Sequence, residues 1–122
     1  MKYDMFLATI EERAGIVDRD EAERTAVAVL QALADRLTGG EADDLLAQLP
    51  EPLKSTIRVT PKAVPMEPEE FVDRIARELQ LPPEEARDRV RAVFGALQEA
   101  VTPGELEDVL SQLDREYADL LA

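Results

Sequence analysis

The stretch TAVAVLQALA, residues 25–34, decides the fold because it is apolar nearly all the way around a helix. A helix of this kind is covered by neighbours on most sides, so we expect it to lie at the centre of the protein. The segments before and after it also carry apolar residues at helical spacing. None of them shows a sustained alternation of polar and apolar residues, which would indicate a half-buried strand. The sequence therefore predicts an all-α fold.

Capping residues and prolines divide the chain into about eight helical segments. The first is expected over residues 2–14 and stops at Gly15, and Asp18 is the expected N-cap of the second. The sequence Thr38-Gly39-Gly40-Glu41 has the spacing of a capping box and predicts the start of a third helix. Later segments are expected around Leu53, from Pro68 to Gln80, after Pro82, after Thr102 and around Tyr117.

Residues 21–49 and 85–113 resemble each other at an offset of 64. They share 13 identities in 29 positions, and the identities include caps and polar residues as well as apolar ones. A shared amphipathic pattern would not match the polar positions, so we interpret the similarity as an internal duplication. We expect a helical hairpin plus a short helix in each repeat, residues 2–57 and 68–121. A connector over residues 58–67 joins them, and the repeats pack with pseudo-twofold symmetry into one domain.

The motifs of this duplication also resemble a known family. The helix Ala28-Val29-Leu30-x-x-Leu33 is followed by an acidic helix that ends in Gln48-Leu49-Pro50. Both recur in the second half, where Leu113-Asp114 stands in place of Leu-Pro. In these elements the chain resembles the bacterial family DUF2267, over nearly its whole length. The resemblance implies an all-helical fold with an internal repeat, and it implies no agreed activity and no catalytic residues.

The composition excludes most familiar catalytic and metal centres. The 122 residues include no His and no Cys, and 27 acidic against 14 basic residues give a net charge of −13. Thiol nucleophiles, imidazole bases and thiolate or imidazole metal ligands are therefore absent. The negative charge disfavours nucleic acid and anionic lipid, whose binding depends on Lys and Arg. We expect a non-enzymatic protein with no cofactor, no nucleic-acid partner and no membrane partner.

The sequence contains no apolar run that approaches the ~18 residues needed to span a membrane. We therefore expect a cytoplasmic protein. The absence of Cys agrees with a reducing compartment without requiring one.

A matched pair of glutamines, Gln48 and Gln112, stands just before the Leu that closes each short helix. A side-chain amide at this position can hydrogen-bond the backbone of the opposite half and fix the orientation of the two halves. It can also line a shared pocket and contact a ligand. We expect the structural role and keep the ligand contact as the alternative.

Acidic residues cluster in the opening turns of the third and seventh helices. Residues three apart share a helix face, so Glu41 with Asp44 could present two carboxylates to Ca²⁺ or Mg²⁺. The second cluster contains Glu105, Glu107 and Asp108. Because the helix dipole also favours carboxylates in a first turn, we expect a structural origin for both clusters and assign no metal ligand.

Basic residues concentrate in the middle of the chain. Lys54, Arg58 and Lys62 lie in a stretch with no acidic residue, and Arg87 and Arg91 lie one turn apart on the sixth helix. On an acidic chain such residues can dock an acidic partner or a phosphate-bearing molecule. Alternatively, they neutralise neighbouring carboxylates at less than ~1 kcal/mol per exposed pair.

The aromatic residues are expected in and around the core. Phe6 and Phe71 occupy equivalent positions of the two halves and are predicted to be core anchors, whereas Tyr3 and Tyr117 are predicted to lie at the edge of the core.

The sequence thus favours a protein-interaction or scaffold module, with self-association as a variant. The alternative is a protein that binds a small ligand or a divalent cation at the seam between the two repeats.

Overall fold

The computed structural model describes residues 1–121. All the regular secondary structure in these residues is α-helical, which confirms the all-α prediction. None of the helices in these residues is long and apolar enough to cross a membrane. The helices are α1 (Tyr3–Ala14), α2 (Arg19–Arg36), α3 (Gly39–Ala47), α4 (Leu53–Thr56), α5 (Pro68–Leu79), α6 (Pro83–Ala100), α7 (Pro103–Gln112) and α8 (Tyr117–Leu121).

The helix boundaries follow local signals in the sequence. Gly15 ends α1 in the left-handed region, with φ of 68°, which a residue without a Cβ adopts at little cost. The Asp18 carboxylate caps α2 by accepting a backbone N–H at 3.0 Å. The hydroxyls of Thr38 and Thr102 cap α3 and α7 by accepting a backbone N–H at 3.3 Å each. These caps fix where α3 and α7 begin.

The two long helices organise the core. α6 packs against α1, α2, α5, α7 and α8, and α2 packs against α1, α3, α5 and α6. Buried side chains from both halves form one continuous cluster. Phe6 and Phe71 are fully buried in it, as predicted for core anchors.

The sequence predicted Tyr117 at the edge of the core, but the structure places it inside the core. Its side chain is 1% exposed, and its hydroxyl donates a hydrogen bond to the backbone carbonyl of Met66 at 2.6 Å. The ring packs edge-to-face on Phe71 with centroids 5.6 Å apart, and the Arg36 guanidinium lies 5.8 Å from its centre. A phenol at the edge of a core takes its polar partner from water. Here the backbone of the connector supplies the polar partner inside the protein.

The connector, residues 58–67, contains no helix and is fixed along α2. The Gln31 amide makes two hydrogen bonds with the backbone of Arg58. Its Oε1 accepts from the Arg58 N–H at 3.0 Å, and its Nε2 donates to the Arg58 carbonyl at 2.9 Å. Further along, the Val64 N–H donates to the Asp35 carbonyl at 2.7 Å. The path of the connector is therefore set by hydrogen bonds that its backbone makes with α2.

The connector packs closely on α3 at Gly39, and a substitution there tests this contact. A Cβ at this position would lie 3.0 Å from the Thr60 carbonyl oxygen and 3.1 Å from that of Pro61. Because backbone has to move, we expect Gly39→Ala to lower the free energy of unfolding by about 1–2 kcal/mol in urea titrations. Gly40→Ala is the matched control, since no atom lies within 4 Å of its added Cβ and alanine favours a helix by up to ~1 kcal/mol. Equal stability of the two variants would contradict close packing at Gly39.

Candidate functional site

Helices α3 and α7 lie side by side, and a glutamine at the end of each reaches the start of the other. Gln48 Oε1 accepts the Thr102 N–H at 2.8 Å, and Gln112 Oε1 accepts the Thr38 N–H at 2.9 Å. The two amide nitrogens donate to the hydroxyls of the same threonines, at 3.5 Å from Gln48 and 3.1 Å from Gln112. These reciprocal contacts hold the helices antiparallel and in register. We call the contact between α3 and α7 the seam.

The two glutamines occupy the N–H groups that a capping box would use. In a capping box the third helical residue, here Glu41 or Glu105, accepts the N–H of the capping threonine. In the seam those N–H groups of Thr38 and Thr102 go to the facing glutamines instead. The box expected at Thr38 is therefore only half formed, since the threonine hydroxyl caps the helix and Glu41 does not reach back. The reason is the facing helix, which local sequence does not reveal.

The carboxylates of Glu41 and Glu105 instead meet across the seam. One oxygen from each of Glu41, Glu105 and Asp108 lies within 4.8 Å of the others. Glu105 is only 8% exposed, and Oε1 of both glutamates is buried without a hydrogen-bond donor. The pair considered along a single helix, Glu41 with Asp44, does not form this cluster, because Asp44 is exposed. Packing of two helices, rather than spacing along one, assembles the carboxylates.

The pKa of Glu41 is raised from 4.5 to about 7. Burial is the largest cause, followed by the hydrogen bond and the charge of Glu105, and then by the charges of Asp108 and Asp44. Two ionised carboxylates are acceptors only, so a proton on one of them supplies the donor that the pair lacks. The seam therefore takes up a proton at a pH where an exposed glutamate is ionised.

The basic residues of the connector lie in solvent. Lys54 on α4 and Arg58 and Lys62 on the connector are exposed. Within residues 1–121 none of the three has a carboxylate oxygen within 4 Å, whereas six arginines elsewhere do: Arg13, Arg19, Arg36, Arg74, Arg89 and Arg91. We call these three exposed side chains the connector surface. Its positive charges have no ion pair, and α2 holds the backbone of one of the three residues, Arg58, in place.

Arg87 and Arg91 lie elsewhere and have acidic neighbours. Both are half-buried and line a cavity of about 180 Å³ between α5, α6 and α8. Arg91 pairs with Asp88 at 3.3 Å. The cavity is also lined by three acidic residues, Glu69, Glu116 and Asp119, and by no residue of the connector surface. The structure thus separates the two groups of basic residues that the sequence singled out.

Two open grooves complete the candidate sites. One of about 420 Å³ lies between α2 and α5, and its lining includes Val27, Ala28 and Leu79. The other, of about 380 Å³, lies between α6, α7 and α8, where Leu110 is 41% exposed. Neither is lined by Gln48 or by Gln112.

Sequence reasoning missed the role of Gln31 and the pairing of Glu41 with Glu105. Gln31 had a signal, because it is the one polar residue between Ala26 and Ala34. A long polar side chain inside such a stretch has to find a partner. The glutamate pair had no local signal, since the two residues lie 64 positions apart and meet only when α3 packs on α7.

The reciprocal glutamine contacts predict a loss of stability when either amide is removed. Gln48→Leu and Gln112→Leu each leave a threonine N–H without its acceptor, so we expect each to lower the free energy of unfolding by about 1–2 kcal/mol in urea titrations. Gln98→Leu is the control, because Gln98 is exposed on α6 and its side chain forms no hydrogen bond within residues 1–121. If all three variants were equally stable, the amide contacts would not hold the seam.

The raised pKa of Glu41 predicts a pH dependence of stability. Between pH 4.5 and about 7 the folded protein binds this proton more tightly than the unfolded chain, so its contribution to stability falls as the pH rises. We expect Glu41→Gln to make the decrease of the urea midpoint with rising pH shallower over this window. A chelator in the buffer keeps divalent cations away from the carboxylates during the measurement. Asp43→Asn removes the same charge from an exposed position on the same helix and should leave the slope unchanged.

Comparison with known proteins places the chain in a family. A search of curated proteins finds no significant match. The model of the family described as "Uncharacterized conserved protein (DUF2267)" matches residues 3–120, nearly the whole chain. The match agrees with the resemblance that the Ala-Val-Leu helix and the Gln-Leu-Pro ending indicated in the sequence. The chain belongs to the DUF2267 family.

Proposed function

We propose that the protein is a non-enzymatic interaction module that binds an acidic partner protein through its connector surface. The observation that carries this proposal is the presence of three exposed cations without an ion pair on α4 and the connector, whose backbone is bonded to α2 at Arg58 and Val64. A composition without His or Cys supports binding rather than catalysis. A cytoplasmic location in a bacterium, expected from the sequence and the resemblance, belongs to the same proposal.

The fixed path of the connector favours binding. Ordering a flexible loop on association costs free energy, and a loop that is already ordered avoids this cost. The Gln31 and Asp35 contacts order the backbone on one side of the connector, and the Tyr117 hydroxyl holds Met66 on the other. Because none of these contacts uses the charged heads of Lys54, Arg58 or Lys62, those groups remain available to a partner.

The charge distribution favours an acidic partner. The whole chain carries a net charge of −13, so another acidic protein is repelled everywhere except where positive charge is concentrated. Local complementarity of this kind orients a partner and raises its association rate more than its affinity. The connector surface would therefore select the orientation of the complex.

The internal duplication and the pseudo-twofold axis form part of the proposal, as the origin of the framework. The reciprocal contacts support them, because Thr38 and Thr102 are 64 residues apart, as are Gln48 and Gln112. Arg89 supports them too, since it donates a hydrogen bond at 3.0 Å to Thr25, the residue 64 positions before it. On this view the connector is the one element without an equivalent in the other repeat.

Charge reversal tests the interaction surface. We expect the combined Lys54→Glu, Arg58→Glu and Lys62→Glu variant to lose partners that wild-type protein captures from an extract of its source cells. The complex should also weaken as salt is raised, because the contact is electrostatic. Quantitative mass spectrometry of the bound proteins is the measurement.

The matched control reverses three other exposed arginines, Arg24, Arg77 and Arg115. It makes the same change in net charge and should keep the partners. If the connector variant and the control lose the same proteins, net charge rather than the connector surface governs binding. If wild-type protein captures only copies of itself, self-association replaces the proposal.

A small ligand in the groove between α2 and α5 is the second candidate function. Its volume of about 420 Å³ and its apolar floor favour this alternative, since ligand sites are concave and mostly apolar. Native mass spectrometry of the protein purified from cells distinguishes ligand binding from partner binding. A bound small molecule would add a fixed mass to the wild-type protein. Ala28→Trp fills the groove and should remove that added mass.

A further inference from the structure

The carboxylates of the seam lack a positive partner. Glu105 is 8% exposed, and the buried Oε1 atoms of Glu41 and Glu105 have no hydrogen-bond donor other than a proton shared between the two carboxyl groups. No Lys or Arg nitrogen in residues 1–121 lies within 4 Å of a carboxylate oxygen of Glu41, Glu105 or Asp108. Buried ionised groups without a partner are costly, and proteins normally pair them or use them to coordinate a metal.

The surrounding hydrogen bonds explain why these glutamates are free. The usual partner of a glutamate at the third helical position is the N–H of the capping residue. In both helices that N–H is taken by the glutamine of the facing helix, at 2.9 Å for Thr38 and 2.8 Å for Thr102. The glutamates therefore do not serve as caps. The carboxylates of Glu41 and Glu105 meet across the seam that these glutamine contacts bridge.

We propose that Glu41, Glu105 and Asp108 form a binding site for a divalent cation of the size of Ca²⁺. The proposal rests on the seam alone and is independent of the connector surface.

The spacing of the oxygens allows them to share one ion. One oxygen from each residue lies within 4.8 Å of the other two. Two ligands of one Ca²⁺ ion are separated by at most twice the bond length, which is about 4.6–5.2 Å, so all three oxygens are close enough to contact a single ion. Ca²⁺ accepts irregular arrangements of oxygens, whereas Mg²⁺ demands near-ideal octahedral geometry, and a site assembled by the packing of two helices therefore favours Ca²⁺.

The environment also favours a cation. Carboxylate oxygens are the ligands that Ca²⁺ prefers, and exposed Asp108 leaves one side of the site open to water, which completes the coordination. The net charge of −13 raises the local concentration of cations.

Calorimetric titration of the full chain with CaCl₂ and with MgCl₂ tests the site, at about pH 8 so that Glu41 is ionised. We expect one Ca²⁺ per chain, bound more tightly than Mg²⁺. Asp108→Asn should weaken Ca²⁺ binding about tenfold or more, and Glu105→Gln should do so as well. Glu107→Gln is the control, because it removes one exposed carboxylate of α7 that lies outside the cluster.

Asp108→Asn keeps the test decisive if Glu105→Gln does not fold, since Asp108 is exposed and its change leaves the buried pair intact. The proposal is overturned if wild-type protein binds no Ca²⁺ at millimolar concentration, or if it prefers Mg²⁺. It is overturned equally if Asp108→Asn and Glu107→Gln lower the affinity by the same factor. That result would assign the binding to the general negative charge of α7.

Discussion

Two glutamine side chains hold α3 and α7 in register, and the chemistry of the seam depends on them. The oxygen of each amide accepts the N–H of the capping threonine of the opposite helix. The nitrogen of the same amide donates to the hydroxyl of that threonine. Backbone groups at a helix start are thereby paired across the contact instead of within the helix. As a consequence, the backbone groups are satisfied while the two glutamates are left to face each other. A well-bonded helix pair thus encloses a poorly neutralised cluster.

A similar use of an amide controls the connector. Gln31 lies in the apolar helix α2 and recognises the backbone of Arg58 much as a neighbouring strand would, with one donor and one acceptor. At the other end of the connector, the Tyr117 hydroxyl donates a hydrogen bond to the Met66 carbonyl. A segment with two prolines and no helix cannot pair its backbone groups internally, so side chains of the helices supply the partners that order it. The core and the connector are therefore coupled through two polar side chains, Gln31 and Tyr117.

Features that depend on neighbouring residues could be predicted from the sequence. Gly15 ends α1, Thr38 and Thr102 begin α3 and α7, and Phe6 and Phe71 anchor the core, because each rests on local backbone geometry or on helical spacing. The cluster of Glu41 and Glu105 could not be predicted, since it depends on which faces of two distant helices meet. The same holds for Tyr117, whose hydroxyl is buried only because a carbonyl from the connector arrives beside it.

The contact between Gln31 and Arg58 has a consequence for how this family can diverge. Because Gln31 reads peptide groups and ignores the side chain, the residue at position 58 can change without disturbing the path of the chain. Lys54 and Lys62 are likewise exposed and form no ion pair within residues 1–121. Selection can therefore rewrite the charge of this strip while the scaffold stays constant.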